Sequence, residues 1–366
     1  MRILYIGGGS TGHLAPLVAV EKGVRAIDPK TESLFLCSDR AEDAMYLSHE
    51  KVQFKQVPLP HRSLTMPIAF IQNYFSSKKI INEFKPDAIF SKGGAVSVPA
   101  CMAAHHLKIP IVLHESDAVM GRANQIVARW AKTICLGFPL TETRDERRET
   151  SHSRLDSRIS SLKIVTGNPI RSTITQGSRE EGLKITGLTG SKPIMLAWGG
   201  SQGAEALNKV VREQIDEILK FCDVIHLTGK GKKGASPRAG YWSTELGHAE
   251  VPHFLAIASF ALSRAGAGSI SELAANGIPT ILVPIEGLAN NHQLRNATMA
   301  QENGGCIILL QRDLEPRLLD IVRELSSDSE YRAKIAKSMQ QLHRPDASGR
   351  IAEIIARSVA RHPSTH

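Results

Sequence analysis

The amino-acid sequence predicts an α/β protein of two similar domains, each a parallel sheet covered by helices on both faces. Three observations predict it. Short β-branched runs alternate with helical stretches long enough to serve as crossovers. A strand followed by a glycine-rich turn and a helix occurs twice, once at the start of each half. The 366 residues suffice for two domains that each bury a core.

The strands follow in order. Arg2–Ile6, Ser33–Cys37, Ala88–Ser91, Ile109–His114 and Lys163–Thr166 are expected in the first half. Pro193–Trp198, Asp223–Thr228, Phe260–Ser263, Thr280–Pro284 and Cys306–Leu309 are expected in the second. Thr141–Leu162 breaks the alternation: it is rich in Arg, Glu and Ser, and is expected to be an exposed loop before the domain junction. Tyr331–Leu342 and Gly349–Ala360 are expected as closing helices, separated at Pro345. The first domain is expected over 1–168 with 347–366 packing back on it, and the second over 169–346. Two Rossmann-like sheets of this kind are expected to face a central cleft, with ligands beyond the carboxyl ends of the strands.

Composition narrows the classes. The longest apolar stretches, such as Ile109–Leu113, fall far short of the roughly 20 residues of a spanning helix. Met1 to Gly7 runs straight into a glycine loop, the pattern of a first strand rather than a signal peptide. Five dispersed cysteines without C-x-x-C spacing argue against a disulfide framework and a zinc site. The net charge of +9 fits nucleic acid, an anionic membrane or a phosphorylated substrate. Without zinc-finger spacing or RNA-binding aromatics, nucleic acid is the weakest of the three and is not expected as a partner.

The glycine loops carry the chemistry. Gly7 to Gly12 satisfies G-x-G-x-x-G between a strand and a helix, but the acidic residue a nicotinamide site needs has only the late Asp39 to fill it. What the loop does offer is amides at a helix start, which favour anions, and His13 in the first helical turn, with a side chain suited to general base work. The bland alternative for His13 is a hydrogen bond to its own loop. Downstream, Ser263 to Glu272 repeats the strand–small-residue–helix pattern, so that a phosphate can approach the amides of Ala267, Gly268 and Ser269. Glu272 lies one turn on, placed to accept from ribose hydroxyls or merely to complement the helix start. Asn291 to Asn296 adds a polar helix start suited to sugar hydroxyls.

Seven segments, in order along nearly the whole chain, resemble a known family. They are Gly8 to His13, Ser91-Lys92-Gly93-Gly94-Ala95-Val96-Ser97, His114-Glu115-Ser116-Asp117, Gly167 to Arg171, Gly199 to Ala204 with Leu207-Asn208, Ser263 to Glu272, and His292-Gln293 with Asn296. Together they resemble the MurG family of peptidoglycan glycosyltransferases, which add N-acetylglucosamine to lipid I to make lipid II. The resemblance implies a GT-B fold, inversion at the sugar carbon, UDP-N-acetylglucosamine as donor and undecaprenyl-linked lipid I as acceptor. It implies work at the cytoplasmic face of the membrane as a peripheral enzyme, with no cofactor and no metal.

Residue by residue, the resemblance puts Arg171, Ser201 and Gln202 on the donor, and Ala267, Gly268, Ser269, Ile270, Ser271 and Glu272 on its diphosphate and ribose. Gln293 and His292 lie by the sugar, and His248 in the segment that reads uracil. Ser10, Thr11 and Gly12 lie near the transferred sugar and acceptor diphosphate, and His13 at the general-base position. Three positions depart from the family pattern: Thr11 replaces a glycine, Asp117 replaces an asparagine that contacts the donor sugar, and Ala95 replaces an aromatic. These keep open a sugar-nucleotide-binding protein with weakened catalysis, beside another GT-B enzyme with a different acceptor and an epimerase. Leu64 to Phe84 combines Met66, Ile68, Phe70, Ile71, Phe75 and Ile80 with Arg62, Lys78, Lys79 and Lys85, an amphipathic basic stretch suited either to anionic lipid or to the core.

Overall fold

The computed structural model describes residues 1–9, 11–59, 66–140, 161–200, 203–245, 249–287 and 291–360. The chain divides into two compact units, Met1–Arg171 with Asp346–His366, and Ser172–Pro345. Of the expected loop Thr141–Leu162, residues 141–160 lie outside the described residues, as do Ser10, Ser201, Gln202 and His248, and Leu162 already begins a strand.

The first unit is built on β1 (Arg2–Ile6), β2 (Glu32–Ser38), β3 (Phe54–Val57), β4 (Ala88–Ser91), β5 (Ile111–Glu115), β6 (Thr133–Leu136) and β7 (Leu162–Val165). Among the described residues these form one parallel sheet in the order β3-β2-β1-β4-β5-β6-β7. Its helices are α1 (Thr11–Ile27), α2 (Ala41–His49), α3 (Met66–Phe84), α4 (Ser97–His106) and α5 (Arg122–Val127). Alternate residues of each strand feed opposite cores, because successive side chains leave a strand on opposite faces. Ile3, Tyr5, Phe35, Phe90 and Val112 pack with Leu14 and Leu17 of α1. Leu4, Ile6, Leu36, Ile89 and Leu113 pack on the other face with Ala100 and Ala104 of α4.

The second unit holds β8 (Ile194–Trp198), β9 (Asp223–Leu227), β10 (Tyr241–Thr244), β11 (Phe260–Ser263), β12 (Thr280–Leu282) and β13 (Cys306–Ile308), again all parallel, in the order β10-β9-β8-β11-β12-β13. Its helices are α6 (Arg179–Thr186), α7 (Glu205–Ile218), α8 (Val251–Ile257), α9 (Ala267–Ala275), α10 (His292–Glu302), α11 (Leu314–Ser327) and α12 (Ser329–Gln341). The last helix, α13 (Ala347–Ala360), returns to the first unit, where Ile351, Ala352 and Ile355 join the α1 core. Gly23 of α1 permits that approach: a Cβ there would lie 3.0 Å from the Ser348 carbonyl oxygen.

Three strands, β3, β6 and β10, go beyond the expectation. β3 and β10 are sheet edges, and β3 leaves Lys55 and Gln56 exposed, so its hydrophobic signal is weak. All five cysteines are buried, and burial pushes each thiol up to about 12. Both strand orders reverse direction once, between β1 and β4 and between β8 and β11. Crevices beyond the carboxyl ends of such strand pairs are where doubly wound sheets bind ligands.

Candidate functional site

The first glycine loop leaves β1 with no room for side chains. A Cβ on Gly8 would come 2.6 Å from Asp43 Oδ2 and 2.7 Å from the Ser38 amide nitrogen. Asp43, buried in the first turn of α2, accepts hydrogen bonds from the Gly9 amide at 2.7 Å and the Ser38 hydroxyl at 2.6 Å. Arg40 Nη1 donates to the Gly9 carbonyl at 2.9 Å. The acidic residue after β2 therefore grips the loop itself. Asp39, which a nicotinamide site would need for its ribose, instead accepts the Leu59 amide at 3.3 Å.

His13 sits half-buried in the first turn of α1, with Nδ1 3.1 Å from the Gly8 carbonyl oxygen. A carbonyl only accepts, so Nδ1 carries the proton of that bond and the lone pair falls on Nε2. Burial lowers the His13 pKa to about 4, helped by the Lys92 ammonium and opposed by Asp117, the Gly8 carbonyl and Asp43. The ring is neutral at pH 7.

The second loop approaches the same ring from β4. Gly94, at φ +86, brings its backbone so close that a Cβ would lie 3.6 Å from His13 Cε1. At Gly93, at φ +87, a Cβ would fall 2.2 Å from Asn124 Oδ1. Asn124 is itself held: its Nδ2 donates to Glu115 Oε2 at 2.7 Å and to the His114 carbonyl at 3.3 Å. Glu115 also accepts the amides of Asp117 at 3.0 Å and Gly121 at 2.9 Å, which shapes the turn that carries Asp117. Burial, and then the charge of Asp117, raise the Glu115 pKa. Asp117 thus joins His13 at the strand ends of the first unit, while Gly12 is exposed at the start of α1. Asn168 Nδ2 donates to the Ser116 carbonyl at 3.1 Å, and partly exposed Arg171 ends this stretch of the unit.

The second unit repeats the design around α9. Gly266 caps the helix, which has no side-chain cap and no acidic residue in its first turn. The first intrahelical bond runs from the Ile270 amide to the Gly266 carbonyl, so the amides of Ala267, Gly268 and Ser269 precede the helical ladder. Side chains added at Gly266 or Gly268 would meet nothing within 4 Å. Gly200, at the end of β8, lies alongside: its Cβ would come 4.0 Å from Ser269 Oγ.

Ile270 and Ser271, both named from the sequence, turn inward. Ile270 is fully buried, and the Ser271 hydroxyl donates to the Ala267 carbonyl at 2.8 Å. Glu272 is partly exposed one turn into the helix. Gln293 accepts the Ile285 amide at 3.1 Å through its Oε1, which directs the carboxamide NH2 elsewhere, and His292 beside it is partly exposed. Asn296 braces the loop before α9 by donating to the Ala265 carbonyl at 3.1 Å. Among the described residues, no group of His, Cys, Asp and Glu could hold a metal ion.

Four residues gained roles that the motifs alone did not assign: Asp43, Lys92, Glu115 and Asn124. Lys92 and Glu115 lie inside recognised segments, and Asp43 follows β2 closely. What each side chain reaches depends on its partners in other loops.

Two doubly wound sheets, each with a glycine turn opening onto a helix start, form a fold that nucleotide-sugar glycosyltransferases and epimerases share, and the family match makes this chain a glycosyltransferase. The N-terminal domain of glycosyltransferase family 28 matches residues 3–136, and its C-terminal domain matches residues 194–351. The chain belongs to that family and, within it, to the UDP-N-acetylglucosamine–N-acetylmuramyl-(pentapeptide) pyrophosphoryl-undecaprenol N-acetylglucosamine transferases. A transferase of that name from Lachnospira eligens is 33% identical over 359 residues, covering 93% of this chain and 95% of its own. Among solved structures, MurG of Acinetobacter baumannii superposes with a TM-score of 0.73 at 21% identity, covering 97% of this chain and 99% of its own. The UDP-GlcNAc 2-epimerase of Neisseria meningitidis, solved with UDP-GlcNAc, shares the fold at a TM-score of 0.66 and 16% identity, over 98% of this chain and all of its own.

Proposed function

We propose that the chain moves N-acetylglucosamine from UDP-N-acetylglucosamine to the 4-hydroxyl of the N-acetylmuramyl group of lipid I, giving lipid II with inversion at the anomeric carbon. The observation that carries this reading is the open start of α9, where amides without helical partners meet the helix dipole in a chain of this family. In the reaction, the acceptor hydroxyl gives its proton to Nε2 of His13 as its oxygen bonds the anomeric carbon. The bond from that carbon to UDP breaks, and its electron pair stays on the diphosphate. The amides of Ala267, Gly268 and Ser269, with Arg171, receive the developing charge.

Glu272 accepts from the ribose hydroxyls, and the Gln293 carboxamide and His292 hold the sugar. Ser201, Gln202 and His248 complete the donor side, which belongs to 169–346. Ile270 and Ser271 serve there through the helix they build. Ser10, Thr11, Gly12 and Asp117 face acceptor and transferred sugar from 1–168. Labelled N-acetylglucosamine should appear in lipid II when the protein receives labelled donor and lipid I. Epimerised donor in the absence of acceptor, or UDP binding without any transfer, would sink this reading.

A lipid-linked acceptor calls for a membrane surface, and α3 supplies one in our reading. Ile68, Ile71 and Phe75 share one face at helical spacing and are 59%, 55% and 62% exposed. The face turned to the protein buries Ile81 together with Asn73 and Ser77, packs Tyr74, Ile80 and Phe84 against the core, and has Asn73 Nδ2 donating to the Pro58 carbonyl at 2.9 Å. α3 thus carries a second apolar stripe that the core does not use, and Lys79 lies near it. Among the described residues no helix is long and apolar enough to cross a membrane, so docking on the cytoplasmic leaflet is the form of association proposed. Ile71→Glu with Phe75→Glu should weaken sedimentation with anionic vesicles at least about tenfold, since each side chain buried in lipid contributes roughly 1.5–3 kcal/mol. Equal binding would exclude this face.

A further inference from the structure

The second unit contains a buried polar chain that the reaction outlined above does not use. His226 of β9, 1% exposed, lies between Tyr241 of β10 and Asn208 of α7. Its Nδ1 is 2.9 Å from the Tyr241 hydroxyl, and its Nε2 is 2.9 Å from Asn208 Oδ1. Asn208 Nδ2 in turn donates to the Thr228 carbonyl at 2.8 Å. At the other end, the Ala235 amide donates to the Tyr241 hydroxyl at 2.8 Å.

The partners decide where each proton lies. The Thr228 carbonyl can only accept, which turns Asn208 Nδ2 towards it and Oδ1 towards the ring. Oδ1 can only accept as well, so His226 Nε2 carries the ring proton and Nδ1 takes the hydrogen of the Tyr241 hydroxyl. Burial, helped by the charge of Arg212 and opposed by Glu205, lowers the His226 pKa to about 4. The ring is neutral at pH 7. Each group therefore donates to the next, from the Ala235 amide to the Thr228 carbonyl.

That last carbonyl is the floor under the glycine turn after β8. A Cβ on Gly203, at φ +67, would fall 2.1 Å from the Thr228 carbonyl oxygen, so Gly203 rests directly on the peptide that Asn208 holds. The Gly203 amide donates to the Gly200 carbonyl at 3.0 Å, and Lys232 Nζ donates to the Gly203 carbonyl at 3.0 Å. Gly200 in turn lies alongside Ser269, at the start of α9. We propose that His226 is a positioning residue for the donor, holding Gly203, and with it Gly200, beside the start of α9 through Asn208 and Thr228. The role rests on the function proposed above, which places the donor diphosphate at that helix start. Tyr241 sets the ring from behind, and the ring sets the carboxamide of Asn208.

The test compares two replacements of His226 in the full chain. His226→Leu removes the ring N–H and should weaken UDP binding about tenfold, as expected for one buried hydrogen bond lost. Donor KM should rise with it, while kcat and acceptor KM change less than about threefold. His226→Gln places a carboxamide NH2 where Nε2 lies, and should return UDP affinity to within about threefold of wild type. In the ligand-free chain, hydrogen exchange of the Gly203 amide should quicken about tenfold in His226→Leu, measured against the Leu262 amide of β11 as the report of global opening. Nitrogen NMR of the wild-type ring should find the proton on Nε2. Should His226→Leu fail to fold, His226→Asn takes its place, since its shorter carboxamide reaches only towards Tyr241. A proton on Nδ1, a His226→Gln variant that binds UDP as weakly as His226→Leu, or wild-type affinity and Gly203 exchange in His226→Leu would overturn the proposal. Wild-type protein that fails to bind UDP would sink the proposed function instead, and Gly203 exchange would still judge the tether.

Discussion

Replacing His13 by alanine should lower transfer to lipid I about 10²–10⁴-fold, the usual worth of a positioned general base, while UDP affinity stays unchanged. The split follows from geometry, since His13 lies on the first unit and the open start of α9 on the second. Unchanged turnover would remove His13 from the base role. The same ring sets the acid side of the pH profile. Its pKa in the folded chain, about 4 against an ordinary 6.5, keeps the lone pair of Nε2 available well below neutrality. The acid limb of kcat/KM should therefore fall near pH 4 rather than near 6.5. Stability follows the same linkage: the unfolded chain takes up this proton as pH falls through 6.5, and the folded chain resists until about 4. Between those values His13 costs the fold stability as the medium becomes more acid.

Glu272→Ala should weaken UDP binding about ten- to hundredfold, because hydrogen bonds to a charged acceptor contribute roughly 1.5–3 kcal/mol. Turnover at saturating donor should change much less, since the ribose lies away from the reacting carbon. Glu272 stands one turn into α9, beyond the amides assigned to the diphosphate, a spacing that suits the next group along a nucleotide. Calorimetric titration with UDP checks the affinity, and a parallel transfer assay checks the rate. An affinity equal to wild type would leave Glu272 as a partner of the helix start alone.

Much of the fold was legible because local chemistry dictates it. The runs around Ile3, Val112, Leu196 and Leu262 are continuous and apolar, since strands buried on both faces need no polar side. The glycine turns were legible for a related reason. Gly94 and Gly200 occupy left-handed backbone that other residues adopt with strain, so their positions announce loops before any contact is known. Edge strands such as β3 were harder to see, because half of their surface meets water.

Within the site, the residue types at the helix starts pointed to anion chemistry, but the use of each side chain did not follow from its type. Ile270 and Ser271 share a motif with Ser269 yet face the core, because helical rotation separates neighbours by about 100°. The amphipathic stretch over α3 suited either lipid or the core, and the fold uses both sides: Ile81 joins the core while Ile71 and Phe75 stay in solvent.

By itself the sequence determined the two parallel-sheet units and the glycine loops that open onto helix starts, since periodicity and turn chemistry act over a few residues, while seven ordered motifs carried the resemblance to a glycosyltransferase family. Only the tertiary structure decided which groups meet. Asp43 grips a loop more than thirty residues earlier in the chain, and Asn124, held by Glu115, fills the space beneath Gly93. Burial and electrostatic coupling depend on distances through space, and the strand order that brings β1, β4 and β5 side by side creates those distances.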